Sequence, residues 1–70
     1  MININEVTQK IKAVGVNNVR IVTMDGQPAV EGLHQIDINS NGQWITIATG
    51  MKRNIAEDIV RQATNKVILG

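Results

Sequence analysis

Few side chains in this sequence have the types and spacing of a catalytic group. A serine nucleophile would need Ser40, His34 and an aspartate in hydrogen-bonding reach of one another. Ser40 lies in an expected turn and His34 in an expected strand, and nothing in their spacing aligns them. The adjacent acids Glu57 and Asp58 suit the dipole at a helix start better than a metal site. We therefore expect no enzyme and no catalytic residues.

A second group of residues has the character of an anion site. Positions 49–54 place a glycine and two cations directly before an expected helix. The free N–H groups at a helix N-terminus attract phosphate, so Lys52, Arg53 and Asn54 are candidate phosphate ligands. The alternative is that Asn54 caps the helix together with Glu57 and that both cations are simply solvated.

A third candidate is the only aromatic residue of the chain, Trp44. Alternation along its strand predicts that its side chain faces away from the helices, on the same outer face as Val22 and Met24. A tryptophan beside valine and methionine on an open face is typical of a protein-contact surface. The alternative is that Trp44 lies flat over its neighbours.

Length and composition limit what can position these groups. Seventy residues make a single domain, 1–70, which buries only ~60% of its unfolded surface. The absence of cysteine excludes disulfides and cysteine-ligated zinc, and one histidine makes no histidine-rich metal site, so we predict no metal and no cofactor. The net charge of +1 is not that of a dedicated nucleic-acid binder. Without a transmembrane run or a signal-peptide pattern, a cytoplasmic protein without membrane contact is expected.

Apolar residues at helical spacing predict one helix near each end of the chain. The first spans 4–14, with Asn3 as its cap, Glu6 three residues later, and Gly15 at its end. The second spans 54–69. The predicted buried stripe of the first helix is Ile4, Val7, Ile11 and Val14, and that of the second is Ala56, Ile59, Val60, Ala63 and Val67.

Three strands are predicted between the helices, at 18–24, 33–39 and 43–49. Asn41-Gly42 favours a type I′ hairpin between the second and third strands, and 25–28 has turn composition. In the third strand, Ile45 and Ile47 are predicted to share the inner face, and Trp44, Thr46 and Ala48 the outer one. The order helix, three antiparallel strands, helix predicts a two-layer α+β sandwich, α-β-β-β-α, with both helices on one face.

Over residues 39–69 the sequence resembles the double-stranded-RNA-binding domain. In that family a hairpin glycine is followed eight positions later by a second glycine, as Gly42 is by Gly50. A basic loop follows, here Lys52-Arg53, and then an alanine that opens the buried stripe, here Ala56. The family also has this order of helices and strands, although its basic helix signature is reduced here because Glu57 stands where the family has a lysine.

The resemblance implies binding to duplex RNA across two minor grooves and the phosphates between them. It assigns the phosphates to Lys52, Arg53 and Asn54. The remaining candidate RNA contacts are Gln9 and Lys12 on the first helix and Gln27 and Pro28 in the first loop.

Two functions are therefore expected from the sequence. The first is duplex-RNA binding through the basic start of the second helix. The alternative is a protein-contact or dimerisation module that uses the outer face around Trp44, Val22 and Met24. A small inhibitor of a host factor, of the type that phages encode, belongs to this second class.

Overall fold

The chain folds as two helices packed against a three-stranded antiparallel sheet, in the predicted order α-β-β-β-α. A computed structural model describes residues 3–24 and 32–69. The strand order in the sheet is β1-β2-β3. The elements are α1 (Ile4–Val14), a short 3-10 turn (Val16–Asn18), β1 (Val19–Thr23), β2 (His34–Ser40), β3 (Gln43–Met51) and α2 (Arg53–Leu69). The predicted α+β class is confirmed.

The first helix has the predicted bounds and the predicted caps. The Glu6 N–H donates to the Asn3 Oδ1 at 3.1 Å. Gly15 ends the helix at a φ of +88°, and its N–H donates to the Ile11 carbonyl at 2.9 Å. One member of the predicted stripe is wrong: Ile4 is 46% exposed, because the packed face of the helix begins one turn later, at Val7.

The hairpin between β2 and β3 also forms as predicted. Asn41 and Gly42 both have positive φ, 55° and 82°, which is the requirement of a type I′ turn. The turn places Ser40 opposite Gln43 and pairs Asp37 with Thr46 further along the strands.

Beyond Asp37 the register between β2 and β3 shifts, and the shift changes one predicted face. Ile36 pairs with Ala48 although Asp37 pairs with Thr46, so β3 contains one extra residue between these pairs, and a second register shift follows between Ile36 and His34. An inserted residue reverses the alternation of the side chains that follow it, up to the next register shift. Ala48 therefore lies in the core, and the prediction that it shares the outer face with Trp44 is wrong.

The junction of β3 and α2 differs from the prediction by one or two residues. β3 continues through Gly50, at a φ of +76°, to Met51. α2 begins at Arg53, and the Lys52 carbonyl accepts the first helical hydrogen bonds. Asn54 thus lies inside the first turn, so the predicted cap formed by Asn54 and Glu57 is wrong.

The hydrophobic core lies between the helices and the inner face of the sheet. The predicted stripe of α2 is confirmed at Ala56, Ile59 and Ala63; the Val67 side chain and the predicted turn at 25–28 lie outside the described residues. Within the described ranges, neither helix is both long and apolar enough to cross a membrane. The buried apolar residues are Val7, Ile11, Ile36, Ile38, Ala48, Met51, Ala56, Ile59 and Ala63.

Candidate functional site

The outer face of the sheet, which is the face away from the helices, carries a row of polar side chains from all three strands. β1 pairs with β2 so that Arg20 lies opposite Asp37, and β2 pairs with β3 so that Asp37 lies opposite Thr46. Paired residues in antiparallel strands have side chains within contact distance on the same face. Asp37 on the central strand therefore lies between a cation and a hydroxyl.

Asp37 is the centre of a closed hydrogen-bond network. Its side chain is only 2% exposed. Oδ2 accepts from the Arg20 Nε at 2.9 Å, and Oδ1 accepts from the Thr46 hydroxyl at 2.7 Å and from the Gln35 Nε2 at 3.0 Å. Gln35 also donates to the Thr46 hydroxyl oxygen at 3.0 Å. Three donors on one carboxylate stabilise its ionised form.

The pKa of Asp37 shows which contribution dominates. Burial raises the pKa of a carboxyl group, but the hydrogen bonds from Thr46, Arg20 and Gln35 and the charge of Arg20 outweigh burial. The pKa of Asp37 therefore lies below its ordinary value of 3.8. The carboxylate is charged at neutral pH, and it holds Arg20 in place.

Arg20 and Trp44 form the exposed part of this network. The Arg20 Cζ lies 4.3 Å from the centroid of the Trp44 ring, which is cation–π contact. Arg20 remains 44% exposed at its side chain and Trp44 42% exposed. Trp44 thus lies against a neighbour and still presents much of its surface. We call Arg20, Trp44 and Asp37 the outer-face cluster.

The other two predicted contact residues flank this cluster. Val22 pairs with Gln35, on the same face as Arg20, and is half-buried. Met24 follows β1, and its sulfur accepts a hydrogen bond from the Gly50 N–H at 3.2 Å. The Met24 side chain therefore reaches across the sheet towards β3 instead of projecting into solvent.

The predicted phosphate ligands lie at the start of α2 and are all exposed: Lys52, Arg53 and Asn54. The Arg53 Nε lies 3.5 Å from the Glu57 Oε2, one turn further along the helix. The next arginine of α2 also has an acidic partner within its own helix. Lys52 lies directly before α2 and makes no ion pair with a described residue.

Of the remaining predicted RNA contacts, two lie on α1 and two lie outside the described residues. Gln9 and Lys12 are exposed on α1, which packs against α2. They belong to the helical layer, on the opposite side of the sheet from Trp44. Gln27 and Pro28 lie outside the described residues.

The structure separates the two members of the serine–histidine pair. Ser40 and His34 are the last and first residues of β2, which places them about 20 Å apart at ~3.3 Å per residue. His34 is buried, and its Nδ1 donates to the Gly32 carbonyl at 2.9 Å. The two side chains do not form a nucleophile–base pair.

A groove of about 320 Å³ lies on the helix-covered side of the sheet, between the N-terminal half of α1 and strand β3. Its titratable residues, Glu6 and Lys10, pair with each other at 3.3 Å and are both well exposed. Such a solvated ion pair has little influence on its surroundings.

Sequence reasoning missed Asp37 and Arg20 as site residues. Asp37 has the alternation of a solvent-facing strand residue, and only the strand register shows that Arg20, Gln35 and Thr46 cover it. The sequence did contain one of these pairings, because a two-residue hairpin turn at 41–42 places Asp37 opposite Thr46.

No protein-family model matches the chain, and no match was found among curated proteins or among solved structures. The resemblance to the double-stranded-RNA-binding domain therefore remains a prediction from residues 39–69.

Proposed function

We propose that this chain is a binding domain without catalytic activity, and that it contacts a protein partner through the outer face of its sheet. The observation that supports this most is the stack of Arg20 on Trp44, at 4.3 Å, on the face opposite the helices. Tryptophan and arginine are the residues most enriched among those that dominate binding energy at protein interfaces.

The network below the stack makes this surface suitable for binding. Asp37 holds the Arg20 guanidinium through Nε, and the guanidinium in turn lies over the indole. Side chains that are already held lose less conformational entropy when a partner binds.

Trp44 is the only tryptophan, so its fluorescence reports on this surface alone. We expect a concentration-dependent mass in sedimentation, or a stable complex with a partner, accompanied by a change in Trp44 emission. Trp44→Ala should abolish the association and keep the circular dichroism spectrum of the folded domain. Ile45→Ala is the matched control, because Ile45 is the next residue of β3, is similarly exposed, and lies on the other face. Association that survives Trp44→Ala would contradict the proposal.

Duplex-RNA binding is the second candidate, supported by the exposed cations Lys52 and Arg53 at the start of α2. Because Glu57 places a negative charge 3.5 Å from the Arg53 Nε, where a phosphate would have to approach, we rank this function below protein contact. Each phosphate contact adds affinity that falls as salt rises.

The RNA test is a titration of the domain with a duplex of about 20 base pairs, longer than the ~16 that such domains span, at two salt concentrations. DNA of the same sequence serves as the control. RNA-selective, salt-sensitive binding that is lost in the double variant Lys52→Glu, Arg53→Glu would support this function. If the double variant bound duplex RNA as tightly as wild type, Lys52 and Arg53 would not be RNA-binding residues.

A further inference from the structure

The exposed charge of the outer-face cluster is positive, although the cluster contains one acid and one base. Asp37 is 2% exposed and its two oxygens already accept three hydrogen bonds. Arg20 is 44% exposed at its side chain. A molecule that approaches this face therefore meets the guanidinium and not the carboxylate.

The Arg20 guanidinium also has N–H groups that make no hydrogen bond to a described residue. Its Nε donates the hydrogen bond to Asp37, within the described part of the chain. Its terminal nitrogens Nη1 and Nη2, which carry four N–H groups, make no hydrogen bond to a described residue. These two nitrogens form the planar fork that binds a carboxylate through two parallel hydrogen bonds.

Apolar surface lies directly beside this donor pair. The Trp44 ring is under the guanidinium and 42% exposed, and Val22 lies two residues from Arg20 on the same face. A ligand that satisfies both features carries an acidic group next to an apolar one.

From this charge complementarity we propose that the outer face binds a peptide segment of a partner protein in which an aspartate or glutamate adjoins a large apolar residue. The carboxylate binds the terminal nitrogens of Arg20, and the apolar side chain packs on Trp44. This inference rests on the proposed protein-contact function and names the chemistry of its partner.

The face favours an acidic peptide over a nucleic acid. Arg20 is the only arginine or lysine in β1, β2 and β3. Single-stranded nucleic acids are bound along a track of several cations. One guanidinium beside apolar surface matches one carboxylate instead.

The test is a selection of random seven-residue peptides, free of tryptophan, displayed on phage against the wild-type domain. Recovered peptides are synthesised and titrated by calorimetry into wild type and Trp44→Ala, and Trp44 emission is followed in the wild type. We expect them to contain an acidic residue next to a large apolar one. Replacing that acid by its amide should weaken binding roughly tenfold or more, the loss typical of a hydrogen bond to a charged group. Because this control alters the peptide, it does not depend on whether an Arg20 variant folds.

The outcomes separate this inference from the proposed function. Peptides that need Trp44 but bind equally as acid and amide would overturn the carboxylate inference and leave the contact surface in place. Peptides that bind Trp44→Ala as well as wild type, or a selection that recovers none, would overturn both. Tighter binding of a thymidine oligonucleotide than of any peptide, with quenching of Trp44, would also overturn the inference, in favour of nucleic acid.

Discussion

The outer face of the sheet and the start of α2 both carry paired charges, but they differ in what surrounds the pairs. Asp37 is buried and receives three donors from three strands. Arg53 and Glu57 are neighbours on one helix and both lie in solvent. A buried, fully bonded carboxylate orients its partners, whereas an exposed i,i+4 pair contributes only about 0.3–0.5 kcal/mol. The presence of an ion pair alone therefore does not identify a preorganised binding surface.

The largest expected effect comes from removing the centre of the outer-face cluster. Asp37→Ala deletes three hydrogen bonds to a charged group. It should lower the free energy of unfolding by about 3–5 kcal/mol, the loss typical of removing one partner of a buried ion pair, because Arg20 recovers only part of its interactions through water. Urea denaturation measures this. Asp58→Ala, which breaks an exposed pair with Arg61, should change it by less than ~0.5 kcal/mol. Equal effects would erase the distinction between the two regions.

A smaller effect is expected from pH. The folded pKa of Asp37 lies below the ordinary value of 3.8, so its ionisation stabilises the fold above that value. This stability is lost as the pH falls through the folded pKa. The difference in unfolding free energy between wild type and Asp37→Asn should therefore be largest near pH 7 and shrink below pH ~4. A difference that is constant from pH 7 to pH 3 would show that the charge of Asp37 contributes nothing.

Trp44→Ala should cost less stability than the loss of Asp37. The variant loses a cation–π contact worth roughly 0.5–1 kcal/mol and the packing of a half-exposed ring, worth about 1 kcal/mol, so we expect about 1.5–2 kcal/mol in total. Thermal unfolding followed by circular dichroism measures this without the lost fluorophore. A loss larger than that of Asp37→Ala would make Trp44 a structural residue first and weaken its use as a contact residue.

The smallest effect is expected at the start of α2. Glu57→Gln removes the partner of Arg53 and should change the free energy of unfolding by less than ~0.5 kcal/mol. If this region binds duplex RNA, the same change should tighten binding, because it releases Arg53 from its acidic neighbour. If Glu57→Gln changed neither the RNA affinity nor the free energy of unfolding, Arg53 would contribute to neither RNA binding nor stability.

Local patterns predicted the elements well because their signals are contained in a few neighbouring residues. Asn3, Glu6 and Gly15 set the ends of α1, and Asn41-Gly42 set the β2–β3 turn. The errors occur where a choice depends on distant atoms. The extra residue in β3, which turns Ala48 inward, has no local sequence signal.

The candidate site was only partly predictable for the same reason. Alternation placed Trp44 and Val22 on the outer face, and a lone tryptophan on an open face was already a candidate contact residue. The importance of Arg20 required the pairing of β1 with β2, across a connection at 24–33 whose length does not specify a register.

The sequence by itself determined the two helices, the hairpin and the outward position of Trp44, because capping, turn conformation and side-chain periodicity act over two to four residues. Only the tertiary structure decided that Asp37 is buried on an otherwise open face, and that Arg20 lies between this carboxylate and the indole. Burial and pKa depend on which strands are adjacent. That adjacency is settled by the packing of the whole sheet against its helices and not by any single segment.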